Sequence, residues 1–506
     1  MTVTDTIQDP TRQSAFKEPA AGITVTGLSL SLQGRNLLDN ISFQLPAGSH
    51  LAITGPSGSG KTLLLNAIAG KRFHKGTVSF ANDHSVITLV EQHYHFRTLS
   101  NTSDFYYQQR YNSFDNTDAA TVAAELHAIC SDTAQVQQLL SALQLAHKAT
   151  SPLLHLSSGE HKRFQLVKAL LVKADMLLLD EPFMGLDSNS RKGLNNILAD
   201  LAANGTQLIC VADAAELPSC INRVALLDKG KLISLTGRNA LAHKNGFTDH
   251  AIPVFTTFPT AGNTNASHFE QAILMEDVTV KYGDKTILDH INWQVNKGER
   301  WLLKGHNGAG KSTLLSLICG DNPKTYANKV CLFGKRRGSG ESIWDIKKNI
   351  GFISPELHWY FDRGISAYEV IGSGFFDTIG LFRKLSIQQQ QVIEQWLDLF
   401  RLKISHVQNQ PLSAISTGEQ RLMLLIRALV KDPPLLLLDE PCQGLDAGHT
   451  KQFVELVDRL CTQLDKTLVY ISHYDNEIPA CIDKVLELKE GKQHIYSLNN
   501  TAAMAV

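Results

Sequence analysis

Residues 51–62 read Leu51-Ala52-Ile53-Thr54-Gly55-Pro56-Ser57-Gly58-Ser59-Gly60-Lys61-Thr62, and the chain repeats the phrase as Trp301-Leu302-Leu303-Lys304-Gly305-His306-Asn307-Gly308-Ala309-Gly310-Lys311-Ser312. In each copy an apolar run of strand length meets a glycine loop, and helical spacing follows. Leu64, Leu65 and Ile68 precede Gly70 in the first, and Lys311 to Cys319 precede Gly320 in the second. Glycines let successive N–H groups turn inward, and the following helix offers its positive end to the same anion. Strand, glycine loop, helix is the context in which Gly-x-x-x-x-Gly-Lys-Ser/Thr cradles the phosphates of a nucleotide. All eight residues of each loop, Gly55 to Thr62 and Gly305 to Ser312, are therefore candidate phosphate contacts.

Two more phrases recur in the same order. Leu156-Ser157-Ser158-Gly159-Glu160 is matched by Ile415-Ser416-Thr417-Gly418-Glu419, and Leu177-Leu178-Leu179-Asp180-Glu181-Pro182 by Leu436-Leu437-Leu438-Asp439-Glu440-Pro441. Offsets of about 250 residues between Lys61 and Lys311, and about 260 between Asp180 and Asp439, make the repeat domain-sized and no solenoid. The fold class expected is α/β: two tandem P-loop NTPase domains, each an α/β core with a helical subdomain. Residues 119–145 and 387–402 have the helical spacing for the arms. The divisions are a polar leader at 1–20, a first domain at 21–236, a linker at 237–270 and a second domain at 271–506.

The chemistry follows from the residue types. Lys61 and Lys311 reach the β and γ phosphates of ATP, and Thr62 and Ser312 offer hydroxyls to Mg2+. Asp180 and Asp439 complete the metal's shell from the ends of buried strands, and Glu181 and Glu440 are placed to take a proton from an attacking water.

Composition limits the alternatives. A formal charge of −1 supplies no global field toward nucleic acid or an anionic membrane, so no nucleic-acid partner is expected. No run approaches the roughly 20 apolar residues that span a bilayer, and the polar first twenty residues do not read as a signal peptide. A soluble, cytoplasmic chain is expected, peripheral to the membrane when bound to a partner there. Eight cysteines without a Cys-x-x-Cys pair fit reduced thiols better than a metal or disulfide framework.

The paired phrases Leu156 to Glu160 and Ile415 to Glu419, each before a Leu-rich Asp-Glu-Pro strand, closely resemble the ATP-binding cassette (ABC) ATPases over nearly the whole chain. By that resemblance Gln92 is the Q-loop glutamine, 185–187 and 444–446 are D-loops, His473 is the switch histidine, and Tyr282 stacks on adenine. The resemblance also implies head-to-tail pairing of the cassettes, within this chain or with another. Ser416 and Gly418 would then complete the first site, and Ser157 and Gly159 the second.

Departures fall unevenly. Asp213 stands where the first repeat should carry the switch histidine, and Leu32 where it should carry the aromatic. The second repeat reads Ile350-Gly351-Phe352-Ile353-Ser354-Pro355-Glu356, with no clear glutamine and Glu356 as the nearest polar candidate. Glu160 and Glu419 replace the family's usual glutamine, a change that suits a helix's first turn.

Residues 334–348 resemble the bacterial ModF group, tandem ATPases associated with molybdate transport, which implies coupling to a membrane permease on a separate chain, for molybdate or another solute. Arg336 and Arg337 there suit an anion, a partner loop or a solvated turn. The aromatic stretch Phe105 to Phe114 suits a docking surface, stacking on single-stranded nucleic acid, or packing against the helical arm. A rival function is a soluble regulatory, ribosome- or nucleic-acid-associated ABC ATPase. Against it, residues 237–270 are short and carry little charge, and the cysteines lack zinc spacing.

Overall fold

Leu435-Leu436-Leu437-Leu438 is apolar at every position because the strand it forms is covered on both faces. Leu436 and Leu438 enter a core with Trp396, Leu424 and Leu460, whereas Leu435 and Leu437 enter one with Val278, Trp293 and Leu314. The first unit divides its run the same way. Leu177 and Leu179 face Phe164 and Leu194, and Met176 and Leu178 face Ile23 and Leu64. Full burial of one such side chain is worth about 1.5–3 kcal/mol.

The computed structural model describes residues 21–32, 35–81, 85–91, 120–153, 156, 158–186, 188–214, 216–239, 258–259, 269–283, 285–355, 357–361, 364–400, 402, 404–412, 415 and 417–498. The first unit's six-stranded sheet runs Ile87–Val90, Met176–Asp180, Gln207–Val211, Leu51–Thr54, Arg223–Asp228, Lys231–Gly237. The second follows the same order with Ile350–Ile353, Leu435–Asp439, Thr467–Ile471, Arg300–Gly305, Lys484–Lys489, Lys492–Ser497. In both, neighbouring strands pair in parallel except for the last, which turns back antiparallel. The loop-bearing strands Leu51–Thr54 and Arg300–Gly305 are thus interior, with a neighbour on each edge, so the glycine loops that follow hang from fixed backbone.

A smaller antiparallel sheet covers one face of each core. Ala21–Leu32 lies between Arg35–Pro46 and Lys75–Phe80, and Gln271–Tyr282 lies between Lys285–Asn296 and Lys329–Leu332. The expected helical arm at 119–145 is broken in two, Val122–His127 and Thr133–Ala142. Asp132 explains the break, because its side chain accepts from the N–H groups of Ala134 and Gln135 and so starts a new helix. In the second arm Ile387–Leu399 is a single helix, opened by a Ser386 capping box. All eight cysteines are free, four of them buried. Among the described residues no helix is long and apolar enough to cross a membrane.

Phe258, inside the segment expected to be a linker, is only 8% exposed and belongs to the second unit's core, where it stacks on Trp396 with ring centroids 6.0 Å apart. Phe258→Ala should therefore destabilise the second unit by about 3 kcal/mol and leave the first unchanged. Scanning calorimetry should show one unfolding transition moving down while the other stays.

Candidate functional site

Each glycine loop is shaped by steric necessity. Gly55 and Gly305 have φ of 143° and 154°, and a Cβ on Gly55 would lie 2.0 Å from the Leu227 carbonyl oxygen. The helices Lys61–Ile68 and Lys311–Cys319 begin directly after left-handed Gly60 and Gly310. Lys61 Nζ donates to the carbonyls of Gly55 (2.8 Å) and Pro56 (3.0 Å), and Lys311 Nζ to those of Gly305 (2.6 Å) and His306 (3.2 Å). Burial lowers the Lys61 pKa, and Glu181, Asp446, Asp180 and Asp213 work against that. A buried ammonium folded back onto its own loop, at the start of a helix, is a donor set that fits a polyphosphate.

Thr62 Oγ1 donates to Asp180 Oδ1 at 3.1 Å. A hydroxyl beside a buried carboxylate fits a hard divalent cation that takes its other ligands from phosphate and water. Ser312 and Asp439 occupy the same two places in the second unit, at the start of its helix and the end of its strand. Lys162, missed in the sequence, is a buried support: its ammonium donates to the carbonyls of Asp180 and Glu91, both at 2.9 Å, and burial pushes it down to about 8. Arg421 is its counterpart, buried and donating to the Gln443 carbonyl at 3.2 Å. The signal was available as a cation one helical turn beyond Ser158 and Thr417.

Glu181 and Glu440 share an unusual backbone, with φ of 48° and 42°, and each N–H donates across the sheet to Val211 (3.0 Å) or Ile471 (2.9 Å). A non-glycine residue held there stores strain of about 1–3 kcal/mol, which is common where side chains are aimed for function. Their electrostatics differ. Burial pushes the Glu181 carboxyl up to about 7, and Asp180 and Asp213 add to it against Lys61 and Lys162. Burial also pushes Glu440 up, but His473, whose Nε2 lies 3.1 Å from Glu440 Oε1, outweighs it together with Lys311 and Arg421. Glu440 is held below the ordinary carboxylate range.

The two units meet head to tail. The Ser57 N–H of the first loop donates to Asp446 Oδ2 of the second unit at 2.7 Å, and Asn307 Nδ2 of the second loop donates to the Gly185 carbonyl of the first unit at 3.2 Å. Gly185 is a close approach, since a Cβ there would sit 2.8 Å from Gln443 Nε2. On the same seam the Arg191 guanidinium lies 4.0 Å over the Tyr474 ring, and both side chains hydrogen-bond Glu216.

Other expected residues fall variously. Gly159 and Gly418 lie in the first turns of the helices Ser158–Leu171 and Thr417–Leu429. Tyr282, half-buried at the end of its strand, accepts a hydrogen bond from Asn322 Nδ2 at 2.9 Å. Gln92, Ser157, Ser416, Glu356, Asp187 and the stretch 105–114 lie outside the described residues. The strand registers, Val90 with Leu179 and Ile353 with Leu438, put Pro355, not Glu356, at the place of Gln92. Glu160 is buried and faces Lys148 (3.5 Å) and His147 (3.7 Å), so it makes an ion pair as well as suiting its helix start. Arg336 is exposed, but Arg337 is buried and paired with Glu341 at 2.6 Å over the Tyr326 ring. Arg337 therefore staples its own loop and presents no free cation.

The family described as ABC transporter matches residues 38–184 and 288–443. The chain is 36% identical over 476 residues to the ABC transporter ATP-binding protein ModF of Escherichia coli (strain K12), covering 90% of this chain and 96% of that protein. It is 32% identical over 480 residues to an uncharacterized ABC transporter ATP-binding protein of Schizosaccharomyces pombe, covering 91% and 96%. Among solved structures, one titled as a model of ribosome-bound archaeal Pelota and ABCE1 aligns with TM-score 0.60 at 18% identity, covering 93% of this chain and 78% of that one. An RNase-L Inhibitor structure aligns with TM-score 0.51 at 18% identity, covering 94% and 90%. At that identity the likeness is one of fold.

Asp446→Ala removes the acceptor of a charged hydrogen bond, worth about 1.5–3 kcal/mol. Amide exchange at Ser57 should speed up by about tenfold or more, while that at Asn307 is unchanged. Equal exchange at Ser57 in the two proteins would show that the seam is open in solution.

Proposed function

We propose, since the chain belongs to the ABC transporter family and is an ATPase of that family, that it binds Mg-ATP at two composite sites and couples hydrolysis to a separate membrane permease. The observation that supports this best is the reciprocal seam, in which Ser57 meets Asp446 and Asn307 meets Gly185. By the family resemblance the other unit's signature segment would be each loop's opposite wall: Ser416 and Gly418 for the first site, Ser157 and Gly159 for the second.

The residues divide the work. The loops Gly55 to Thr62 and Gly305 to Ser312 wrap the phosphates, with Lys61 and Lys311 as charged donors. Thr62 with Asp180, and Ser312 with Asp439, would hold Mg2+, which when bound neutralises phosphate charge. Glu440, kept ionised beside His473, is the candidate acceptor of a water proton at the second site. Glu181 is the candidate acceptor at the first site, where burial and Asp180 raise its proton affinity. Asp213 offers no donor to a phosphate while ionised. Gln92 would line the first site, whereas Pro355 leaves the second without a matching side chain. Within its own cassette the first site lacks a donor to developing charge, a loss of about 10²–10³ in rate; a donor supplied by the other cassette would narrow that gap, and the second site remains the faster.

Similarity to ModF supports a permease as partner, with molybdate or a related solute as the candidate cargo. A second reading, a ribosome-associated ATPase, draws on the tandem fold shared with the ribosome-bound ABCE1 structure.

Glu440→Gln should abolish most steady-state phosphate release, and Glu181→Gln should leave a sizeable share; a greater loss in Glu181→Gln reverses the assignment. Pull-down from mild detergent should recover an integral membrane protein that alters the ATPase rate. Ribosome cosedimentation that survives high salt, with no membrane protein recovered, favours the second reading.

A further inference from the structure

The two sites differ by one histidine in an unexpected place. The helix after the second unit's D-loop, Ala447–Gln463, carries His449, while the same position in the first unit, three beyond Asp187, is Ser190. Asp446 holds His449 firmly. Its carboxylate accepts from the His449 backbone N–H at 2.9 Å and lies 2.9 Å from Nδ1 through both oxygens. The same carboxylate also accepts from Ser57 in the first unit's phosphate loop. A histidine whose Nδ1 is occupied by a carboxylate presents Nε2 for other use.

That edge packs against the second unit's signature turn. A Cβ on Gly418, in the signature turn that would complete the first site, would lie 3.0 Å from the His449 ring and 3.4 Å from Nε2. The ring therefore sits between the signature turn and the opposing phosphate loop, with its side chain still 42% exposed. The charged groups facing it are Asp446, Glu419 and Lys61. The Asp446 hydrogen bond raises its proton affinity and Glu419 adds to this, while burial and Lys61 oppose.

We propose that His449 is a γ-phosphate contact of the first site, supplied across the seam by the second unit in place of the donor that Asp213 cannot be. Each site then has one histidine: the second has His473 from its own unit, and the first has His449 from its partner unit. This rests on the reading that the first loop binds ATP.

The test isolates the first site with Lys311→Ala and measures Kd for Mg-ATP and Mg-ADP by calorimetry between pH 6 and 8. Adding His449→Ala should cut the preference for ATP over ADP by about tenfold, the size of a hydrogen bond to a charged group. His449→Gln, which keeps a donor, should retain most of the preference. The preference of the parent should weaken as pH rises and the imidazole loses its proton. Equal weakening of ATP and ADP would mean that His449 only braces Asp446, and unchanged affinities would remove it from the site; either overturns the proposal. A Lys311→Ala protein that binds neither nucleotide would overturn the reading of the first loop itself.

Discussion

One backbone N–H, that of Ser57, ends on a carboxylate 389 residues away at 2.7 Å, and the seating of the second unit on the first unit's glycine loop depends on it. Burial disfavours a charged Asp446, but hydrogen bonds from the His449 side chain, the His449 N–H and the Ser57 N–H outweigh that cost and hold its pKa well below the usual carboxylate range. A carboxylate so satisfied is a fixed acceptor. It sets the second unit against the first unit's glycine loop, and the Asn307 to Gly185 contact sets the reverse relation.

The seam is reciprocal in outline and unequal in detail. His473 pairs with Glu440 in one unit, and Asp213 adds like charge near Glu181 in the other. Tyr474, next to His473, is clasped by Arg191 and Glu216 of the first unit, whereas Ala214 holds the matching place after Asp213. One edge of the pair is thus tied by an aromatic stack that the other edge lacks. A chain carrying both cassettes can accumulate such differences, because each half meets only one partner.

Features set by local physics were legible in the sequence. Helices end at the left-handed Gly70 and Gly320, and the loop-bearing strand Leu51–Thr54 has the bounds its composition indicated. The leucine runs are central strands for the reason that made them stand out, burial on both faces. Features set by distant partners were not legible. The burial of Arg337 needs the Tyr326 ring as well as the nearby Glu341, and the repeated cation at Lys162 and Arg421 does not by itself show that the carbonyls of Glu91 and Asp180 wait for the Lys162 ammonium. Asp132 caps a second helix in the first arm, a break that apolar spacing on both sides of it conceals in the sequence. Pro355 emerged only from strand register, because a glutamine sought by sequence neighbourhood drifts to the nearest polar residue.

The chain is proposed to hold two nucleotide sites, each walled by both cassettes. Equilibrium binding of a non-hydrolysable ATP analogue with Mg2+ tests it most directly, by counting nucleotides bound per chain in the parent, in Lys61→Ala and in Lys311→Ala. Two nucleotides should bind per parent chain and one per chain in each variant at the same ligand concentration. A parent that saturates at one, or a single variant that loses both, would contradict it.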